Sequence, residues 1–394
     1  MRRYQTSIKA LMTAKTQYQI TTGNAPIFLS DWDSDYNSVQ MPTLKIDNSS
    51  LSAMQKYYFW TDEWNFRESI QNFFTSQYNY SLSTDKFAIG TNGTASIMLA
   101  LTALKEAGKR CALIITPIYF STLNLLDELE FEVVEFNLSP KNDFVIDAQA
   151  IEQTIINNRV DVLIVTNPIF GTGIEISIPI LEELSNICNS FDICLLMDYV
   201  YGGLPWAIEN PRYYIFNLPV YKAISSAEQY IFIESISKRV FLNGAKFALV
   251  FSNPRLMRRI LRLSVFMAGS MSLQQVSLVP QLYSNTSVPA LTELITENAI
   301  TAHNRYRMLK CLLSDSQIRL SNACNGYFAL ASIPKKLHKD DIEYAMSILN
   351  KTGVLTTPHS RYLLSEDNTY SFRINLLLNK NELIEGMSML KNLI

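Results

Sequence analysis

The chain has 394 residues, 48% of them hydrophobic and 18% charged, with 34 basic against 36 acidic side chains and a formal net charge of −2. That length and apolar share suit about two domains with a real core and exclude a disordered chain. A near-neutral balance leaves no footprint for nucleic acid, and no apolar run approaches the roughly 20 residues that span a bilayer, so neither nucleic acid nor membrane is expected as a partner.

Met1-Arg2-Arg3 leads into polar Tyr4-Gln5-Thr6-Ser7 rather than an apolar stretch, so no secretory signal is expected. In the middle of the chain, helices and strands alternate. A helix is predicted over Thr94–Ala107 from Ile97, Leu99, Ala100, Leu101 and Leu104, followed by a buried strand over Cys111–Thr116. Helix 122–129, strand 132–136, helix 148–157, strand 160–166, helix 179–190 and strand 192–198 come next. Two more apolar runs, Tyr230–Ile233 and Phe247–Phe251, flank a short polar loop. This pitch predicts right-handed βαβ units and a mainly parallel sheet, whose ligands bind at the carboxyl ends of the strands.

The tail reads differently. One long helix is predicted over 291–313, then strands over 327–333 and 370–377, with helices over 340–350 and 380–393. The division expected is a large domain over 45–290 and a smaller α+β domain made of 1–44 and 291–394. Cys111, Cys188, Cys194, Cys311 and Cys324 are scattered without a CxxC pair, which reads as buried free thiols in a reducing compartment, the cytoplasm. His303, His338 and His359 lie far apart, so no histidine metal cluster is expected.

Three residues fall at strand ends on the ligand side of the expected sheet: Asn167, Asp198 and Lys238. Lys238 lies in Ser235-Ile236-Ser237-Lys238. There, partial desolvation would lower its amine pKa enough for a Schiff base with an aldehyde, and a solvated loop charge is the plain alternative. Asp198, 40 residues earlier, either caps a turn or serves a pyridinium nitrogen. A Schiff-base lysine and that carboxylate are the two protein groups that pyridoxal phosphate needs most.

With these markers in order, the chain resembles the fold-type I pyridoxal phosphate enzymes, in particular the class I and II aminotransferases, from about Ile27 to the C-terminus. Tyr58, nine residues before Arg67, resembles a tyrosine that reaches the neighbouring subunit's cofactor phosphate. Thr91-Asn92-Gly93-Thr94-Ala95-Ser96 is similar to the phosphate turn, and Pro117-Ile118-Tyr119 to the segment whose aromatic ring stacks on the cofactor. Asn167-Pro168-Ile169-Phe170-Gly171-Thr172-Gly173 resembles NPxNPTG. Asp198-Tyr199-Val200-Tyr201 resembles D-x-x-Y, and Ser235 to Lys246 resembles S-x-x-K with a cation eight residues on. Gly353–Pro358 and Tyr370-Ser371-Phe372-Arg373-Ile374-Asn375 resemble the C-terminal strand and the carboxylate-binding arginine.

The resemblance implies an α/β aspartate aminotransferase-like fold with a seven-stranded sheet. It implies a homodimer, and pyridoxal phosphate as the cofactor that moves an amino group between an amino acid (or amine) and an oxo acid. Lys238, Asp198 and Tyr201 would be catalytic. Gly93, Thr94, Ala95, Tyr119, Asn167, Ser235, Lys246 and Tyr58 would join them around the cofactor, and Arg373 and Trp32 would meet the substrate. Read alone, Gly93-Thr94-Ala95 is an ordinary helix start, Tyr119 is packing and Arg373 is a surface ion-pair partner.

Four positions depart from the family pattern. Phe170 stands where an asparagine donates to the cofactor's 3′ oxygen, and Trp32 where a small glycine lines the substrate carboxylate. Tyr199 replaces an acidic residue. Lys246 replaces an arginine, keeping the charge but losing the two-pronged grip on phosphate. These changes leave open a lyase, cyclase or side-chain elimination reaction on the same fold.

Overall fold

The computed structural model describes residues 3–33, 64–207, 211–267, 269, 271–335, 340–364 and 368–394. The strands are numbered along the chain. β1 (Ile27–Phe28) is followed by β2 (Phe87–Gly90), β3 (Cys111–Thr116), β4 (Glu132–Asn137), β5 (Val162–Thr166), β6 (Cys194–Asp198), β7 (Tyr230–Glu234) and β8 (Ala248–Ser252). β9 (Arg319–Leu320), β10 (Phe328–Pro334), β11 (Val354–Leu355) and β12 (Thr369–Asn375) complete the set. Seven of them form one sheet in the order β2-β8-β7-β6-β5-β3-β4.

β3 through β7 are mutually parallel, while β8 runs antiparallel to both β7 and β2. The parallel strands β3, β5, β6 and β7 are buried along their whole length. That is why they read as continuous apolar runs: helices cover both faces of the sheet, so no side chain in these strands has a solvent side to match. β4, at one edge, is mostly exposed and carries Glu132 and Glu135. Charge at an open edge discourages pairing with another chain.

Helices lie where the apolar periodicity puts them, with ends shifted by a few residues. The first of the alternating set spans Gly93–Glu106, and the long helix spans Val288–Leu312. That long helix buries Leu291, Leu294, Ile295, Asn298, Ala299, Ala302, Tyr306 and Leu309 on one stripe. Burial of so many aliphatic side chains, at roughly 25 cal/mol per Å² of apolar area, is what holds a helix that length against the rest of the protein.

In the C-terminal module β10 lies between β12 and β9, all antiparallel. β1 pairs in parallel with β11, so the N-terminal segment completes the C-terminal module rather than the large sheet. Tyr58 and the expected division at residue 44 lie outside the described residues. The expectation that the thiols are buried holds for Cys111, Cys188 and Cys194 but not for Cys311 and Cys324, which are exposed. Cys311 falls off the buried stripe of its helix, so its position within an element did not decide its burial. Among the described residues no helix is long and apolar enough to cross a membrane.

Candidate active site

The loops that follow β3, β5, β6 and β7 meet at the carboxyl ends of these parallel strands, where open α/β sheets place ligands. They enclose a cavity of about 280 Å³, near the lower end of ordinary ligand pockets. Of the side chains singled out in the sequence, Gly93, Thr94, Tyr119, Asp198, Tyr201, Ser235, Lys238 and Lys246 line it, together with Phe170.

One wall is the start of helix Gly93–Glu106. Asn92 caps it, its Oδ1 accepting the Ala95 N–H at 2.9 Å. The amides of Gly93 and Thr94 have no partner within the helix, and the helix dipole adds to their pull on an anion. Ala95 does not line the cavity, and its amide is spent on the cap. A Cβ on Gly93 would come within 3.1 Å of the Val200 side chain, so glycine lets the turn approach the wall opposite.

Lys246 and Ser235 supply the other side of this anion cup. Gln275 ties the two sides together, its amide nitrogen donating to the Lys246 carbonyl at 2.8 Å and to the Thr91 carbonyl at 3.3 Å. The Ser235 hydroxyl donates to the Phe247 carbonyl at 2.8 Å and lies 2.6 Å from the Ser237 hydroxyl.

Lys238 projects from the turn after β7. Its ammonium nitrogen is 2.9 Å from Asn243 Oδ1 and 5.5 Å from the centre of the Tyr201 ring. Burial, and then the Lys246 and Arg373 charges, bring its pKa down to about 8 against an opposing pull from Asp33. A buried amine of that basicity is available as a nucleophile and a base near neutral pH.

Asp198 closes β6, 8% exposed. One of its oxygens accepts the Val200 N–H at 3.1 Å, yet burial still pushes the carboxyl up to about 6. Burial also holds the Tyr201 phenol well above its ordinary range, with Tyr327 the next contributor.

Phe170 brings an apolar face to this cavity, its ring 5.6 Å from Tyr119 and 4.7 Å from Tyr362. His359 stacks on it at 6.0 Å, and its Nε2 lies 3.0 Å from the Phe170 carbonyl. Burial drives the His359 pKa down to about 3, so the ring is neutral and donates through Nε2. Asn167 does not line the cavity. Its Oδ1 accepts the Ile176 N–H at 2.9 Å, which holds the turn after β5, while its buried Nδ2 is left without a partner.

Arg373 is fully buried on β12 and gives Nη2 to the Ser30 carbonyl at 2.8 Å, while Nε and Nη1 have no partner. A buried cation with two unmatched donors is costly unless a ligand meets them, and that pair of donors fits a carboxylate. The Trp32 ring lies over the guanidinium, 3.2 Å from its central carbon to the ring centre, among Tyr119, Phe170, Tyr201 and Phe328. Trp32 and Arg373 sit beside the cavity rather than in its lining, with the indole stacked on the guanidinium.

Sequence reasoning gave no role to Asn92, Asn243 or Gln275. Asn92 before glycine at a helix start carried the capping signal. Gln275 follows Ser272 by three residues, and the two side chains form a capping box. Nothing local marks Asn243 as the partner of Lys238.

The donor set suits pyridoxal phosphate: an anion cup at a helix start, a buried carboxylate, an amine, and an aromatic ring at Tyr119. The sequence profile of the family described as aminotransferase class I and II matches residues 46–390. Valine–pyruvate aminotransferase of Mycobacterium tuberculosis is 24% identical over 296 residues, 74% of this chain and 71% of that protein. Aspartate aminotransferase of Sulfolobus acidocaldarius is 19% identical over 333 residues, 83% and 80% of the two chains. The crystal structure of an aminotransferase from Mycobacterium tuberculosis superposes with a TM-score of 0.81 at 20% identity, over 100% of this chain and 97% of that one.

Proposed function

The chain belongs to the class I and II aminotransferases, which depend on pyridoxal phosphate, and from that membership we propose how its own residues carry amino transfer between an amino acid and an oxo acid. The observation that carries the proposal is the single cavity holding Lys238, Asp198, Tyr201 and the start of helix Gly93–Glu106. When bound, pyridoxal phosphate supplies an aldehyde for an amine and a cationic ring that takes up the electron pair left at Cα.

The Gly93 and Thr94 amides and the Lys246 ammonium would hold the phosphate, as a helix start and a cation hold any dianion, and the Ser235 hydroxyl would join them by turning its hydrogen from the Phe247 carbonyl. Tyr119 would cover one face of the ring. Asp198 would keep the ring nitrogen protonated. It is a carboxylate at the cost of its burial, and a cationic partner relieves that cost. Tyr201 would donate to the 3′ oxygen, and Phe170 would not. Arg373 would take the substrate α-carboxylate on Nε and Nη1, the edge left free by Ser30. With Trp32 over one face of the guanidinium, the carboxylate would have to approach edge-on.

Lys238 has two duties. As a neutral amine it would anchor the cofactor, and as a free amine it would take a proton from the substrate Cα. The first substrate would leave as an oxo acid with its amino group retained on the cofactor, and a second oxo acid would take that group up by the reverse sequence. We further propose a homodimer in the cytoplasm, supported by the exposed apolar run Val265, Phe266 and Met267 and by three buried thiols.

Two readouts test this reading. Borohydride treatment of the loaded protein should fix the cofactor to the peptide containing Lys238; label on another lysine overturns the assignment. Each of the common amino acids, added singly to the loaded protein, should be screened for conversion to the aminated, shorter-wavelength form. A return to the starting colour with product release would instead mark a lyase.

A further inference from the structure

Directly behind the Lys238 turn lies an ion pair that the reaction does not use. Glu234 and Arg239 are joined through Oε2 and Nη2, with side chains 0% and 1% exposed. Arg239 also donates from Nε to the Gly202 carbonyl at 2.7 Å, and from Nη1 to the Tyr214 carbonyl at 2.9 Å and to the Ile215 carbonyl. The Tyr283 hydroxyl donates to the second Glu234 oxygen at 2.5 Å, and the Asn298 amide to the Arg239 carbonyl at 3.1 Å. Gly203 has φ of +81°, and a Cβ there would lie 2.6 Å from Arg239 Nε, so only glycine admits the guanidinium.

The placement of these bonds is specific. Gly202 follows Tyr201, Glu234 precedes Ser235, and Arg239 follows Lys238. One guanidinium thus joins the three segments that bring the phenol, the serine and the amine to the cavity. A buried ion pair is weak evidence for stability, because a well-packed apolar pair of similar volume often does as well or better. An apolar pair cannot, however, hold three carbonyls in fixed directions, which the planar fork does.

We propose that Arg239 is a positioning residue, setting the place of Lys238 relative to Tyr201 and Ser235. The proposal rests on the reading that Lys238 anchors the cofactor, and borohydride mapping of the unaltered protein tests that reading separately.

The test uses the double variant Glu234→Leu with Arg239→Met, and Arg239→Lys as the second variant. The probe is pyridoxal phosphate added to cofactor-free protein, followed by absorbance across pH 6 to 10. Among the described residues, the charged and titratable groups facing Lys238 are Lys246, Arg373, Asp33 and Tyr201, and neither variant alters any of them. The double variant should melt within a few degrees of the unaltered protein. Its capture rate at pH 8 should nevertheless fall at least tenfold, and its pH midpoint should rise as Lys238 gains water. Arg239→Lys keeps the charge and loses the fork, so it should show the same two changes. If either variant folds with capture rate and midpoint unchanged, the network is structural support only and the proposal fails. If both are folded, slower and unshifted in midpoint, the amine is in place and the proposal also fails.

Discussion

Asp198 is held in the cavity against its own preference. Burial raises its carboxyl to about 6 from the usual 3.8, a rise corresponding to about 3 kcal/mol. The proton favours the folded state, so the associated stability is fully present below about pH 4 and is lost as pH rises through 6. In cofactor-free protein, Asp198→Asn should therefore increase stability at pH 8 by up to about 3 kcal/mol and change little near pH 4. Urea unfolding at both pH values measures this; equal midpoints at pH 8 would show that the carboxylate is not strained. Lys238 is the counterpart. Its neutral form is favoured by burial and by Lys246, so cofactor capture should climb about tenfold per pH unit up to about 8 and then level off. Lys246→Met removes a neighbouring cation and should move that midpoint upward; an unmoved midpoint would show that Lys246 does not act on the amine.

At the scale of elements, the helix Gly93–Glu106 does two jobs with one terminus. Asn92 satisfies the Ala95 amide, which leaves the amides of Gly93 and Thr94 for an anion. Asn92→Ala should cost about 1 kcal/mol of stability and should also weaken cofactor retention, because the first turn frays where the phosphate sits. Equilibrium dialysis against pyridoxal phosphate checks the second effect; a loss of stability with unchanged retention would place the phosphate elsewhere. This pair of roles was half legible in the sequence. Asn-Gly-Thr before an apolar-periodic run marks a helix start, but only the fold shows Lys246 brought against it from more than 150 residues away.

At the scale of the whole molecule, an apolar run at the end of helix Pro254–Met267 stands exposed among the described residues. Phe266 is 77% exposed, with Val265, Met267 and Met98 also exposed. Single exposed apolar residues are ordinary, but a run of three concentrates what an interface would cover. Sedimentation at micromolar concentration should give twice the chain mass of 44.9 kDa, and Phe266→Glu should shift the equilibrium toward monomer by burying an unpaired charge. A stable, active monomer of the unaltered chain would remove the homodimer from the proposal.

The sequence by itself determined the alternation of helices and strands, the parallel sheet and the placing of Asp198 and Lys238 at strand ends. Each of these depends on local periodicity and on which residues end an apolar run, and those signals do not need distant partners. The tertiary structure decided the rest. Asn167 reads as a site residue from its place at a strand end, but only the fold shows its Oδ1 holding the Ile176 N–H around a turn and its buried Nδ2 left without a partner. Trp32 and Arg373, over 340 residues apart, meet ring against guanidinium only because β1 pairs with β11 and Ser30 receives Arg373. Arg239 looks like one more loop charge beside Lys238. Its burial among the carbonyls of Gly202, Tyr214 and Ile215 follows from three separate loops converging on one point, and convergence of that kind is not written in any local pattern.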